Sequence, residues 1–160
     1  MNSNNNYCES IINYTRRKSR VVAIGHLSLG GDNPIRVQSM TTTNTMDTFA
    51  TVKQSIRMID AGCEYVRITA PSINDAENLK NIKAQLKKNG YDVPLIADIH
   101  FTPRAAEVAA RYVEKIRINP GNFVDRKKFE IHEYTDEQYQ LELERINEKF
   151  CPLVSICREE

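Results

Sequence analysis

The chain has 160 residues, 22 of them Lys or Arg and 21 Asp or Glu, and the resulting net charge of +1 gives little long-range attraction to nucleic acid or an anionic membrane. Hydrophobic residues make up 41% and charged residues 27%, enough for one core, and no uncharged apolar run reaches the roughly 18 residues of a membrane span. Cys8, Cys63, Cys151 and Cys157 form no CxxC pair and match no zinc or iron–sulfur spacing, which reads as free thiols in a reducing compartment, with no metal held by this chain.

The polar, Asn-rich start from Met1 to Asn6 and the basic cluster Arg16, Arg17, Lys18 and Arg20 read as a loose arm over residues 1–19. They hold no apolar stretch of the export-signal kind, so a cytoplasmic location is expected. Two short strands follow, Val21 to Ile24 and Leu27 to Leu29, and Gly30, Gly31, Asp32 and Asn33 turn the chain into a core strand that starts near Ile35.

From there strand and helix alternate. Asp47 or Thr45 caps a helix with Phe49, Val52, Ile56 and Ile59 on its apolar face, and Gly62 stands where a left-handed terminal residue is wanted. A strand over Tyr65 to Thr69 precedes a helix started by Ser72 or Asn74, with Ala76, Leu79, Ile82 and Leu86 on one face and Asn89-Gly90 at its end. Leu95 to Ile99 is the next strand. Thr102-Pro103 opens an Ala-rich helix that should run to Val113, and Lys115 to Ile118 is a fourth core strand ending in the turn Asn119-Pro120-Gly121-Asn122. A last helix from Asp136 to Lys149 should break or kink at Pro152. The seven acidic residues between Glu130 and Glu148, against Arg145 alone, suit a solvated helix face.

This alternation predicts an α/β fold with a parallel sheet, either a small open sheet or the first half of a (β/α)8 barrel, whose full form needs about 250 residues. Parallel strands covered on both faces should be apolar throughout. These are not: period-two alternation puts Arg36 and Gln38, Arg67 and Thr69, Asp98 and His100, and Arg117 and Asn119 each on one face of successive strands. Buried charges must pair with one another or with a ligand, and the C-terminal strand ends are where such folds bind ligands.

Arg67 and Arg117 suit bidentate recognition of an oxyanion such as a phosphate or diphosphate, with Asp98 orienting a hydroxyl or fixing an arginine. A purely structural Arg-Asp-Arg network accounts for the same residues. His100 suits an acid, base, donor or structural role, and Asn119 and Asn122 suit either a ligand contact or a simple turn. Ser39, Thr41, Thr42 and Thr43 are placed to cap a helix or touch a phosphate, and Arg104 and Lys115 are either further phosphate contacts or solvated side chains.

Four stretches in order, Pro34-Ile-Arg-Val-Gln-Ser-Met-Thr41, Ala61-Gly-Cys-Glu-Tyr-Val-Arg-Ile-Thr69, Pro94-Leu-Ile-Ala-Asp-Ile-His-Phe101 and Lys115-Ile-Arg-Ile-Asn-Pro-Gly-Asn122, resemble the 4-hydroxy-3-methylbut-2-enyl diphosphate synthase family. The likeness covers roughly Arg16 to Asn122, and Phe123 to Glu160 resembles the longer form of some bacteria and plastids. It implies a two-electron reduction of 2-C-methyl-D-erythritol 2,4-cyclodiphosphate in isoprenoid biosynthesis, in a protein with a substrate-holding barrel and a separate domain whose three cysteines and glutamate hold a 4Fe-4S cluster. It also implies flavodoxin or ferredoxin as electron donor and a homodimer. Arg67 and Arg117 match arginines that meet the diphosphate, and Asp98, Asn119 and Asn122 match polar residues that face it, with His100 beside them.

None of the four cysteines matches the cluster ligands, so residues 20–160 are expected to be the N-terminal part of the barrel domain, without the insertion and iron–sulfur domains and inactive alone. Uncovered sheet edges should leave the isolated chain poorly folded or self-associated. The competing expectations are a cluster-free barrel enzyme like dihydropteroate synthase and a non-catalytic association module.

Overall fold

The computed structural model describes residues 12–13, 18–124 and 133–159, so most of the expected N-terminal arm, with Cys8, Arg16 and Arg17, lies outside the described residues. Strands β1 (Val22–Ile24) and β2 (Leu27–Leu29) pair antiparallel, with Ile24 opposite Leu27 and Gly25 in the turn at φ +57°. Beyond β2 the chain passes so close to the Arg20 carbonyl oxygen that a Cβ on Gly30, at φ +81°, would collide with it.

Then follow β3 (Gln38–Met40), α1 (Thr48–Asp60), β4 (Tyr65–Thr69), α2 (Ile73–Lys88), β5 (Leu95–Ile99), α3 (Pro103–Ala109), β6 (Lys115–Ile118) and α4 (Asp136–Glu159). The sheet runs β3-β4-β5-β6, all parallel, in register Thr69↔Asp98↔Arg117. A hairpin followed by consecutive βα units in sequential order is half of a βα barrel, as expected.

Local chemistry sets the helix ends. Asp47, not Thr45, caps α1, accepting from Ala50 N at 2.9 Å, while the Thr45 hydroxyl donates to the Thr69 carbonyl at 2.5 Å and ties the loop to β4. Ser72 starts α2 in a reciprocal box with Asp75: Ser72 Oγ accepts from Asp75 N at 3.2 Å, and Asp75 Oδ2 accepts from Ser72 N at 3.2 Å. The Asn119–Asn122 turn is closed by Asn122 N donating to Asn119 O at 3.1 Å.

Four expectations need correction. The third strand is only Gln38–Met40 and exposed, with Ile35 and Val37 also exposed, because among the described residues β3 lies at the sheet edge and pairs with β4 alone. Phe49 is 78% exposed, in the first turn of α1 ahead of the buried Thr51, Val52 and Ser55. Helix α3 ends at Ala109 rather than Val113, since Arg111 N and Tyr112 N bond three residues back, to Val108 O and Ala109 O, tightening the chain into a turn. Helix α4 continues past Pro152 without a break. Packing outweighs the lost hydrogen bond there: Leu153 is buried and Phe150 meets Phe123 edge-on at 6.0 Å.

The core lies on the outer face of the sheet. Val66, Ile68, Leu95, Ala97 and Ile99 pack against Ala76, Leu79, Ile82 and Leu86 of α2 and the small Ala105, Ala106 and Ala109 of α3, which let that short helix approach closely. On the inner face, Tyr65 and Ile96, near the N-terminal ends of β4 and β5, pack with Ile24, Leu27 and Leu29 of the hairpin. The hairpin thus stops one end of the inner face and leaves the C-terminal end for polar residues.

Candidate functional site

Parallel alternation brings Arg67, Asp98 and Arg117 to one face at the C-terminal half of three adjacent strands, and His100 joins them one residue past β5. Asp98, with a side chain 2% exposed, is the hub. Its Oδ2 accepts from Arg67 Nη2 at 2.5 Å and its Oδ1 from Arg117 Nη1 at 2.9 Å. The predicted role of fixing an arginine is therefore filled twice over, and both carboxylate oxygens are engaged.

Arg117 Nη1 also lies 2.9 Å from His100 Nε2. A guanidinium has only donors, so His100 Nε2 is the acceptor and the ring proton sits on Nδ1. Asn122, 7% exposed, directs its side-chain amide nitrogen to Asn119 O at 3.1 Å and His100 O at 3.0 Å, pinning the turn after β6 to the end of β5. Asn119 Oδ1 accepts from Gly121 N at 3.1 Å. All six expected residues thus share one strand end, four in a charged cluster and two asparagines bracing the loop beside it.

Two guanidiniums against one carboxylate leave one unit of positive charge at the base of this end. Arg67 and Arg117 keep about a quarter and a third of their side chains exposed, and Arg67 Nε is buried without a hydrogen-bond partner. An orphaned buried donor beside excess positive charge has the chemistry that suits an oxyanion.

Two of the hydroxyls after β3 serve structure: Thr43 and Thr51 share a hydrogen bond at 2.8 Å, and the Thr42 hydroxyl accepts from Gln54 Nε2 at 3.0 Å. Arg36, placed by alternation with the polar residues, instead bonds Glu64 at 2.8 Å and the Ser28 carbonyl at 3.2 Å, joining hairpin to sheet. Sequence reasoning missed buried Asn78, whose Nδ2 donates to Thr45 O at 2.7 Å; the one signal was an amide one residue from Leu79 on a buried helix face.

A hollow of about 870 Å³, lined by Arg20, Ile24, Gly25, Lys83, Glu114 and Lys115 among others, lies at the other end of the strands. Two of its charges are matched to each other: Lys83 meets Glu114 at 2.6 Å and the Tyr112 carbonyl at 2.9 Å, and Glu114 accepts from Leu95 N at 2.9 Å. It is a seam beside the β6 edge.

The described residues do not fit an iron–sulfur cluster. Cys63 is buried with its Sγ donating to Tyr65 O at 2.9 Å, Cys151 and Cys157 lie on different sides of α4, and no three His, Cys, Asp or Glu side chains among the described residues are placed to hold a metal ion.

A hairpin-plugged parallel half-barrel with its charged residues gathered at the C-terminal strand ends defines a TIM-barrel protein with one ligand-facing end. The GcpE TIM-barrel domain matches residues 19–159, and the chain belongs to that family. It is 56% identical over 153 residues to a protein of Akkermansia muciniphila, covering 96% of this chain and 26% of that protein. It is 57% identical over 150 residues to one of Phocaeicola vulgatus, 93% and 24%, and 54% identical over 153 residues to one of Leptospira interrogans, 96% and 23%. All three relatives are named 4-hydroxy-3-methylbut-2-en-1-yl diphosphate synthase (flavodoxin), and the chain spans about a quarter of their length.

Proposed function

We propose that this chain is the substrate-side barrel segment of a 4-hydroxy-3-methylbut-2-en-1-yl diphosphate synthase and that Arg67, Asp98 and Arg117 grip the diphosphate of 2-C-methyl-D-erythritol 2,4-cyclodiphosphate. The observation that carries this is a pair of arginines fixed by one buried carboxylate, with surplus charge and unused donors, at the ligand end of a family barrel. Relatives 54 to 57% identical carry the synthase name, which favours this reading over a pterin-using transferase or a non-catalytic module.

Residues 20–160 then form the first part of the barrel domain, and the insertion and iron–sulfur domains belong to the rest of a protein about four times as long. A cluster held there would relay, one at a time, the two electrons that the donor delivers. The donor is flavodoxin, as in the relatives' names, with ferredoxin the alternative; the protein works as a cytoplasmic homodimer. What this segment does is hold charge. Opening the ring frees a phosphoryl oxygen and adds negative charge to the diphosphate, and guanidiniums already fixed by Asp98 meet it without rearranging. Asn122 and Asn119 keep the loop after β6 in place, and His100 adds an Nδ1–H donor.

Calorimetric titration of the cyclic diphosphate into the full-length protein tests this. Arg67→Ala and Arg117→Ala should each weaken binding by about 2 to 5 kcal/mol, and Arg67→Lys should also weaken it because an ammonium cannot reproduce the fork. Unchanged affinity in both alanine variants removes the assignment.

A further inference from the structure

Helix α2 buries one amide. Asn78 is 8% exposed and stands beside Leu79, which is fully buried against the sheet. An amide buried in such a layer costs free energy unless its groups are bonded, and an aliphatic side chain would fill the space as well. The bonds of Asn78 supply the reason for it, because they leave the layer for the chain between β3 and α1. Its Nδ2 donates to Thr45 O at 2.7 Å and to the Thr48 hydroxyl at 2.9 Å, while its Oδ1 accepts from Asn81 Nδ2 at 2.9 Å.

The loop that Asn78 holds is in turn the brace of β4. Pairing of β3 with β4 ends at Met40↔Arg67, and beyond it the loop takes over the carbonyls on that side of the strand. Thr41 N donates to Arg67 O at 2.9 Å, and the Thr45 hydroxyl donates to Thr69 O at 2.5 Å. Thr41 and Thr45 are both buried. Arg67 meets Asp98 through its side chain, and Thr69 lies across from Asp98 in register. A continuous run of hydrogen bonds therefore leads from α2 through Thr45 to the strand end that carries Arg67.

We propose that Asn78 is a positioning residue for the ligand end: by fixing Thr45 it fixes the C-terminal end of β4, and with it the place from which Arg67 reaches an oxyanion. The assignment rests on the proposed diphosphate site and adds to it a residue that meets the charged cluster only through the loop. A guanidinium recognises phosphoryl oxygens by direction as well as by charge, so a displacement of roughly 1 Å at its base is enough to spoil the contact. Cutting the link should weaken binding beyond any effect on stability. Leu79→Ala, one residue along the same helix but confined to the apolar layer, should do the opposite.

The test is calorimetric titration of the cyclic diphosphate into full-length protein, with affinity expressed per folded molecule. Asn78→Leu keeps the volume and removes the donor, and Thr45→Val removes only the hydroxyl that holds Thr69 O; each should weaken binding about tenfold. Thr45→Ser, which keeps the hydroxyl, should stay within about twofold of the native protein. In an Arg67→Ala background the effect of Thr45→Val should shrink to less than about twofold, since the residue it positions is gone. If Asn78→Leu does not fold, Thr45→Val and its cycle with Arg67→Ala decide. Native affinity in Asn78→Leu and Thr45→Val, with only a lower denaturation midpoint, overturns the proposal while the diphosphate site stands, as does a loss of equal size with and without Arg67. If instead the cyclic diphosphate does not bind the native protein, or binds unchanged in Arg67→Ala and Arg117→Ala, the site assignment fails and the role of Asn78 falls with it.

Discussion

The same strands β4, β5 and β6 present two faces of opposite character, and the contrast separates what holds the molecule together from what equips it. Outward, Val66, Ile68, Ala97 and Ile99 disappear under α2 and α3. Inward, alternate residues of those strands are Arg67, Asp98 and Arg117, held by directional bonds rather than by close packing. Stability outside scales with buried volume; inside, it depends on every charge keeping its partner. The largest effects should fall where each rule is most exposed.

Leu79→Ala empties a fully buried site between α2 and the sheet and should cost about 2 to 5 kcal/mol in chemical denaturation, with diphosphate affinity per folded molecule of the full-length protein unchanged. Asp98→Ala should cost about 3 kcal/mol, toward the low end for broken ion pairs because the arginines keep some water contact, and should also weaken diphosphate binding as the guanidiniums lose their anchor. A variant that lost binding from the outer face, or an Asp98→Ala protein of unchanged stability, would break the distinction between the faces.

Much of this was legible because the governing physics is local. Alternation within Tyr65–Thr69 and Leu95–Ile99 assigns faces from sequence, and caps such as Ser72 and glycines such as Gly62, at φ +97°, mark helix ends without tertiary knowledge. The errors came where a distant neighbour decides. Ile35 and Val37 look like core until β3 turns out to be an edge, and Pro152 looks like a break until Leu153 and Phe150 find partners. In the site, the strand positions were readable, but the division of labour was not. That Asp98 serves both arginines, and that Asn122 reaches the His100 carbonyl, depends on crossings between strands that no spacing encodes.

A smaller effect sharpens the outer-face rule. Ser72→Ala removes one half of the capping box at the start of α2 and should cost about 1 kcal/mol, read as a lower denaturation midpoint with an unchanged slope. A loss well above that would mean that the Ser72 hydroxyl, which also meets Asp75 Oδ2 at 2.5 Å, braces more than the helix end.

The smallest effect concerns the joint between hairpin and sheet. The Val37 N–H, donating to Glu64 at 2.8 Å, and then Arg36, donating at 2.8 Å, hold the Glu64 carboxyl below its ordinary value of 4.5. A depressed carboxyl favours the fold in its charged form, so its contribution is complete above about pH 4.5 and is lost as pH falls through the lower folded value. Urea denaturation of the native protein and Glu64→Gln should therefore show the native protein more stable near neutral pH, with the gap closing as acid is added below pH 4.5. A gap that stays constant into acid would mean that Glu64 holds β3 through shape and hydrogen bonding alone.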